Sequence, residues 1–216
     1  MSTFSETDFL IKRGVTLFLD VGANIGQTGR LIRRQGYEGR IVSFEPIAEC
    51  FAKLEAATKA DPLWDAYHTA LGAENGSVEI GVSENYVSSS IREATEELIS
   101  IYEPIRYARH ETIKVARLDS LFDNIASHGD KIHLKIDTQG FERDVVAGAE
   151  KVLPLIDTVR MEVAVSEVYR GEMLVPEAIL KMRDLGYVLI ETWPAWRHPE
   201  TGEVLQFDLL FRRNVD

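Results

Sequence analysis

Cys50 is the only cysteine in 216 residues, so the chain can close no internal disulfide and cannot assemble a cysteine-based zinc site. A lone cysteine inside a helical pattern reads as a small buried apolar residue. No stretch approaches the roughly 18 uninterrupted apolar residues of a membrane span, and the opening MSTFSETDFLIKRG has no apolar segment after a basic start. Basic residues are the minority, 24 Lys and Arg against 35 Asp and Glu, for a formal charge of −11. That balance argues against a general grip on nucleic acid or on an anionic membrane. The 7 prolines and 15 glycines form no linker, repeat or low-complexity tract. These absences predict one cytoplasmic domain over residues 1–216, with 45% hydrophobic content available for a single sizeable core.

What the chain does have is alternation. TLFLDV (16–21), RIVSFEP (40–46), WDAYHTAL (64–71), KIHLKID (131–137) and DTVRMEVAV (157–165) read as strands. GQTGRLIRRQGY, AECFAKLEAATKA, LDSLFDNI, FERDVVAGAEKVL and PEAILKMRDLG carry helical spacing between and after them. SVEIGV (77–82) and ETIKVARL (111–118) add small inserted strands around residues 84–109, a weakly patterned stretch with a helix near 94–102. That stretch is expected to form a mobile loop or lid on the substrate side. YVLIETW and EVLQFDLLFRR close the chain as an antiparallel hairpin. Such alternation predicts an α/β protein with a mostly parallel sheet and helices on both faces, whose ligands bind beyond the carboxyl ends of the strands.

The first strand ends in DVGANIGQT. Gly22 and Gly26 permit a sharp turn close to a ligand ahead of a helix N-terminus. A dinucleotide loop would carry G-x-G-x-x-G, but Asn24 and Gln27 hold its second and third glycine positions. Asp20 would repel a pyrophosphate and attract an ammonium or sulfonium group. Glu45, after the second strand, suits a ribose diol, because a carboxylate can accept both hydroxyl hydrogens. A ribose and a cationic amino-acid end, without phosphate, describe S-adenosylmethionine (SAM). Ala70 and Leu71 would then lie beside its adenine. Asp137, ending LKID, would stand on the wall near the donor methyl, with Lys135 on the same face by strand alternation. Glu162 lies inside the next strand.

With DVGANIGQTG, SFEP, TALG, VSSSI, KIDTQGFE, YRGEMLVPE and QFDLLF in order, the chain resembles the FkbM family of SAM-dependent methyltransferases from about Val15 to Arg212. The resemblance implies a Rossmann-like class I methyltransferase fold, a seven-stranded sheet with its last strand antiparallel. It also implies O-methylation, often of a sugar or secondary-metabolite hydroxyl. Asp20, Gly22, Asn24 and Gly26, with the adjoining Gln27 and Thr28, match the donor loop. Glu45, with Pro46, matches the ribose acid, and Ala70 and Leu71 match the adenine side. Ser88 to Ser90 match a serine cluster of the donor or acceptor, Ser89 being assigned to the donor and Ser90 to the substrate. Asp137, Gly140 and Glu142 match the D-x-E/Q-G-[FY]-E signature. Gln139 takes its neutral option, which removes one acid from any metal site built on this loop, and no metal ligands are assigned.

A hydroxyl acceptor must be held in line with the methyl carbon and must lose a proton. Asp137 is the first candidate for that base or for an acceptor anchor, a turn-fixing or donor-binding acid being the alternative. Glu162 and His198 are further catalytic candidates, Glu162 alternatively pairing with a neighbouring Arg or Lys. Trp193 and Trp196 could floor a sugar or aromatic ring, or simply pack the hairpin against the core. The expected partner is a small-molecule or saccharide acceptor, with no nucleic acid and no membrane. Two other functions remain open: a NAD-dependent oxidoreductase, which Asn24 and Gln27 disfavour, and a non-catalytic SAM-fold binding subunit.

Overall fold

The computed structural model describes residues 4–214, so the extreme ends of the expected 1–216 unit lie outside it. The chain runs α1 (Glu6–Arg13), β1 (Leu17–Val21), α2 (Gln27–Arg34), β2 (Arg40–Phe44), α3 (Ala48–Thr58) and β3 (Trp64–Tyr67). It continues with β4 (Ala70–Leu71), β5 (Gly76–Ser83), α4 (Glu96–Ile101), β6 (Tyr107–Ala116), α5 (Leu118–Ile125) and β7 (Ile132–Ile136). It closes with α6 (Glu142–Ala147), β8 (Thr158–Ala164), α7 (Val175–Asp184), β9 (Tyr187–Arg197) and β10 (Val204–Arg213). Seven strands form one sheet in the order β3-β2-β1-β7-β8-β10-β9, and only β10 runs against its neighbours. This is the expected class I methyltransferase architecture. Among the described residues no helix is long and apolar enough to cross a membrane.

Strand alternation sorts the core onto two faces. Leu17, Leu19 and Val21 of β1 join Leu134 and Ile136 of β7 in one cluster, under α5, α6 and α7. Phe18 and Ile41 face the other way, against Leu10 of α1, Ile32 of α2 and Leu54 of α3. Toward β7, β8 and β10 this second face turns polar: His133, Lys135, Arg160 and Asp208 lie buried or half-buried there. Helix α1 covers that row with Glu6, which reaches Arg160 Nη1 at 2.5 Å and His133 Nε2 at 3.4 Å.

Three details differ from the sequence reading. WDAYHTAL is two strands, because the Thr69 N–H turns back on the Tyr67 carbonyl at 3.0 Å. Ala70 and Leu71 thereby leave the main sheet for a three-stranded one, β4-β6-β5. FERDVVAGAEKVL is helical only to Ala147, since at Gly148 the backbone passes so close to Gly72 that an added Cβ would meet its carbonyl oxygen at 1.9 Å. No element is predicted for the N-terminal stretch, yet α1 forms there. Its signals are local: Ser5 caps it, accepting from Asp8 N–H, and Gly14 ends it in the left-handed region at φ 72°.

The strand order reverses beside β1, between β2 and β7, the topological switch point where open sheets bind ligands. Here the loops after β1 and β7 touch. Gly22 has φ 77°, and a Cβ on it would lie 1.8 Å from the Asp137 carbonyl oxygen. Gly36 has φ 93° but open space around it. Gly36→Ala should therefore lose about 1 kcal/mol in urea denaturation, the cost of a left-handed alanine. Gly22→Ala should lose about 3 kcal/mol or more, because the clash adds to the strain. Equal losses would mean the close approach carries no energy.

Candidate active site

The loop between β1 and α2 makes three left-handed turns, at Gly22, Asn24 (φ 50°) and Gly26 (φ 86°). Asparagine is among the few non-glycine residues that tolerate this region, which explains the departure from a G-x-G pattern. The Asn24 side-chain oxygen accepts from Ile25 N–H at 2.7 Å, and its amide donates to the Tyr86 carbonyl. Buried Glu45 braces the loop from β2, one oxygen accepting from Asn24 N–H and the other from Ile47 N–H, both at 2.8 Å. Each oxygen keeps a lone pair for a ligand. Burial pushes Glu45 up to about 7 in spite of those bonds.

On the polar face, Lys135 stands opposite Asp20 in the β1–β7 register. Its ammonium is 3.0 Å from Asp20 Oδ1 and 3.4 Å from Asp137 Oδ2, so the expected same-face pairing with Asp137 is present. Burial opposes its charge, but the two carboxylates outweigh this and hold the pKa above the ordinary lysine value.

After β7 the chain turns through Asp137, Thr138, Gln139 and Gly140, the last two left-handed. Glu142 secures this turn from beneath: its Oε1 accepts from Thr138 N–H, Thr138 Oγ1–H and Gly140 N–H. The Gln139 amide nitrogen donates at 2.9 Å to both Asp137 Oδ1 and Glu162 Oε1, and its oxygen accepts from Tyr169 O–H at 3.0 Å. One amide therefore separates two carboxyl groups in unlike states. Burial works against charge on Asp137, yet Lys135 and the Gln139 bond prevail and keep it below the usual carboxylate range. Burial, then the negative charges of Asp137 and Asp208, push Glu162 well above that range. The two carboxyl groups are thus pushed in opposite directions by their surroundings.

A cavity of about 510 Å³ opens over these groups. Gly22, Asn24, Gln27 and Thr28 line it from the first loop, and Glu45 and Pro46 from the second. Ala70, Leu71, Ser89, Asp137, Gln139, Glu162 and Trp196 also reach it. Five predicted site residues do not. Asp20 lies inside β1, fully buried beneath the cavity against Lys135. Gly26 faces Leu54 and Trp64, not the ligand side. The Ser90 hydroxyl is committed to the Gln139 carbonyl at 2.6 Å. Trp193 points to the opposite side of the hairpin, against Phe4 and the Arg160 guanidinium. His198 sits in the hairpin turn, where Nδ1 accepts from Glu200 and Thr201 N–H. Conversely, sequence reasoning gave no role to Tyr169, which the YRGEMLVPE stretch contained, or to Gln206, for which strand alternation offered no signal.

A family model described as Methyltransferase FkbM domain matches residues 20–189, most of the chain and all of the cavity's central groups. The chain belongs to this methyltransferase family. Among relatives of the FkbM protein, the 2-O-methyltransferase NoeI of Sinorhizobium fredii is 23% identical over 171 residues, covering 76% of this chain and 70% of that protein. An FkbM methyltransferase crystal structure from Methylobacillus flagellatus superposes with TM-score 0.51 at 13% identity, over 90% of this chain but only 43% of that one. Magnesium protoporphyrin IX methyltransferase from Synechocystis, crystallised with bound SAM, gives TM-score 0.53 at 9% identity, over 96% of this chain and 76% of that one. At such identities the structural likeness shows the fold. Methyltransferase is the function class that the family match supports.

Two measurements follow from the site's charges. Removing the ammonium in Lys135→Met leaves buried Asp20 without its cation and should lose about 3–5 kcal/mol, part of it regained in the double variant with Asp20→Asn. The second concerns pH. Glu45, Glu142, Glu162, Glu172 and Asp208 all have raised pKa values. The native state keeps protons that the unfolded chain releases, so their contribution is full at low pH and is lost as pH rises. Stability should fall between about pH 5 and 8, and Glu172→Gln should flatten that slope. Glu6, held to about 2, acts in the opposite sense, its contribution being lost only in acid. A urea midpoint that rises over the same window would contradict the assignment.

Proposed function

We propose that this FkbM protein is a SAM-dependent O-methyltransferase that modifies a hydroxyl of a small acceptor, of the sugar or secondary-metabolite kind. It acts as a single catalytic unit in which residues 84–109 cover the acceptor side. The observation that carries this reading is the pair Asp137 and Glu162, bridged by the Gln139 amide on the wall of one cavity with Glu45. The residues present fit the donor. Glu45 offers lone pairs to a ribose diol, the Gly22–Asn24 turn presents backbone, and Ala70, Leu71 and Ser89 flank the remaining space. Asp137 keeps its negative charge and suits the donor's cationic end.

The donor, when bound, supplies a methyl group already activated on a positively charged sulfur. The chain's own work is to position the acceptor oxygen, exclude water and receive a proton. Glu162 is the proton acceptor, because its raised pKa makes its ionised form the stronger base, whereas Asp137 is held as a weak one. Its ionised fraction grows with pH, so turnover should rise with pH above the ordinary carboxylate range. The formal charge of −11 supports a small-molecule partner, with neither nucleic acid nor an anionic membrane engaged. No observation favours a NAD-dependent oxidoreductase or a binding subunit without catalysis.

Thermal melting tests the donor. SAM or S-adenosylhomocysteine at a hundredfold excess over Kd should stabilise the protein by about 2.7 kcal/mol, and Glu45→Gln should weaken that response. No shift at millimolar ligand would remove the donor reading. Glu162→Gln should keep donor binding and lose turnover by about a hundredfold or more, together with the pH dependence. Asp137→Asn should instead weaken donor binding. The reverse pattern would make Asp137 the base.

A further inference from the structure

The cavity has a second half that the donor reading leaves unused. Its walls come from Leu98 of α4, Tyr102 and Ile105 just beyond it, Val168 in the loop after β8, and Trp196 of β9. Leu98, Ile105 and Val168 are buried in one cluster against which Trp196 packs. The Tyr102 and Trp196 rings stand 6.0 Å apart at 63°. The polar groups here are few. Tyr169 spends its hydroxyl on Gln139 and the Ser88 carbonyl. Glu162 and Gln206 remain, besides the hydroxyl of Tyr102 and the indole N–H of Trp196 on the ring walls themselves.

Gln206 is the informative one. It is 7% exposed, lines the cavity, and its side-chain amide finds no hydrogen-bond partner among the described residues. The buried polar atoms left without a partner do not include this amide, so it stands open to the cavity with its donors and acceptor free for a ligand. In the β8–β10 register Asp208 stands opposite Glu162 and Gln206 opposite Ala164. Gln206 is therefore the diagonal neighbour of Glu162 on one face, at a backbone separation of about 7–8 Å that side chains leaning together can close to the width of one ring.

We infer that this half is the acceptor subsite, and that it takes a flat aromatic acceptor whose reacting hydroxyl meets Glu162 while a second, adjacent polar group is bound by Gln206. The inference rests on the methyl-transfer reading above and narrows its acceptor. A bare saccharide fits less well. It would carry hydroxyls on both ring faces against walls built mainly of Leu98, Ile105, Val168 and the Trp196 ring, and each unmatched hydroxyl would lose its water without replacement. A ring face, by contrast, matches Trp196, Tyr102 and the aliphatic walls.

Isothermal titration of the protein loaded with S-adenosylhomocysteine tests this with three probes: catechol, phenol and methyl glucoside. Catechol should bind about tenfold or more tighter than methyl glucoside, since only it satisfies both polar groups against an apolar wall. Gln206→Ala, and Gln206→Met as a variant that preserves volume, should weaken catechol by about tenfold while changing phenol little. Trp196→Ala should weaken both aromatic probes. A methyl glucoside affinity equal to or above that of catechol would overturn the inference, as would equal effects of the Gln206 variants on catechol and phenol. Those results, with S-adenosylhomocysteine still bound, would leave the donor reading intact. Failure of S-adenosylhomocysteine to bind would overturn both.

Discussion

An ammonium group with 2% of its side chain exposed cannot be left uncompensated in a protein interior, and Lys135 is not. Asp20 on one side and Asp137 on the other hold it, and much of the architecture answers to that arrangement. The parallel register of β1 and β7 places Asp20 opposite the lysine, so a shift of one residue would send the charge into the apolar cluster on the other face. Asp137 is kept ionised and aimed. Its carbonyl is then close enough to the β1 loop that only a glycine fits at position 22. The same polar face continues through Arg160 to Glu6 and Asp208, which ties α1 to the sheet.

Above this row, neutral Gln139 lets two carboxyl groups coexist. An acid in its place would add negative charge between Asp137 and Glu162, whereas the amide donates a hydrogen bond to each. Its left-handed backbone, unusual for glutamine, is retained because Tyr169, Ser90 and Glu142 hold the turn from three sides. The outcome is two carboxyl groups whose pKa values are moved in opposite directions, set by environment and not by residue type.

The strand–helix order, the antiparallel ending and the residues at the ends of β1, β2 and β7 were legible in the sequence, because buried parallel strands and glycine turns leave local signatures. The short β4 was not, since its pairing with β6 depends on a turn at Thr69 that composition does not announce. Helix α1 carries its capping signals at Ser5 and Gly14, but its 8 residues are too few for a strong helical periodicity. Of the candidate site residues, Glu45 and Asp137 line the cavity as their places after β2 and β7 lead one to expect. Asp20 was misplaced by the same rule: it lies within the strand, and its side chain follows the strand's alternation into the sheet.

Residue types and their spacing thus determined the layered α/β fold, the glycine loop, the acid after β2 and the signature turn, because each depends on backbone conformation or on periodicity within a few residues. Only the tertiary structure decided which acids are charged, and that Trp196 faces the cavity while Trp193 faces Phe4 and Arg160. It alone left Gln206 with an unpartnered amide. Protonation and side-chain pairing depend on burial and on neighbours distant in the chain, brought together when β8, β9 and β10 align beside β7. No reading of one segment at a time contains that information.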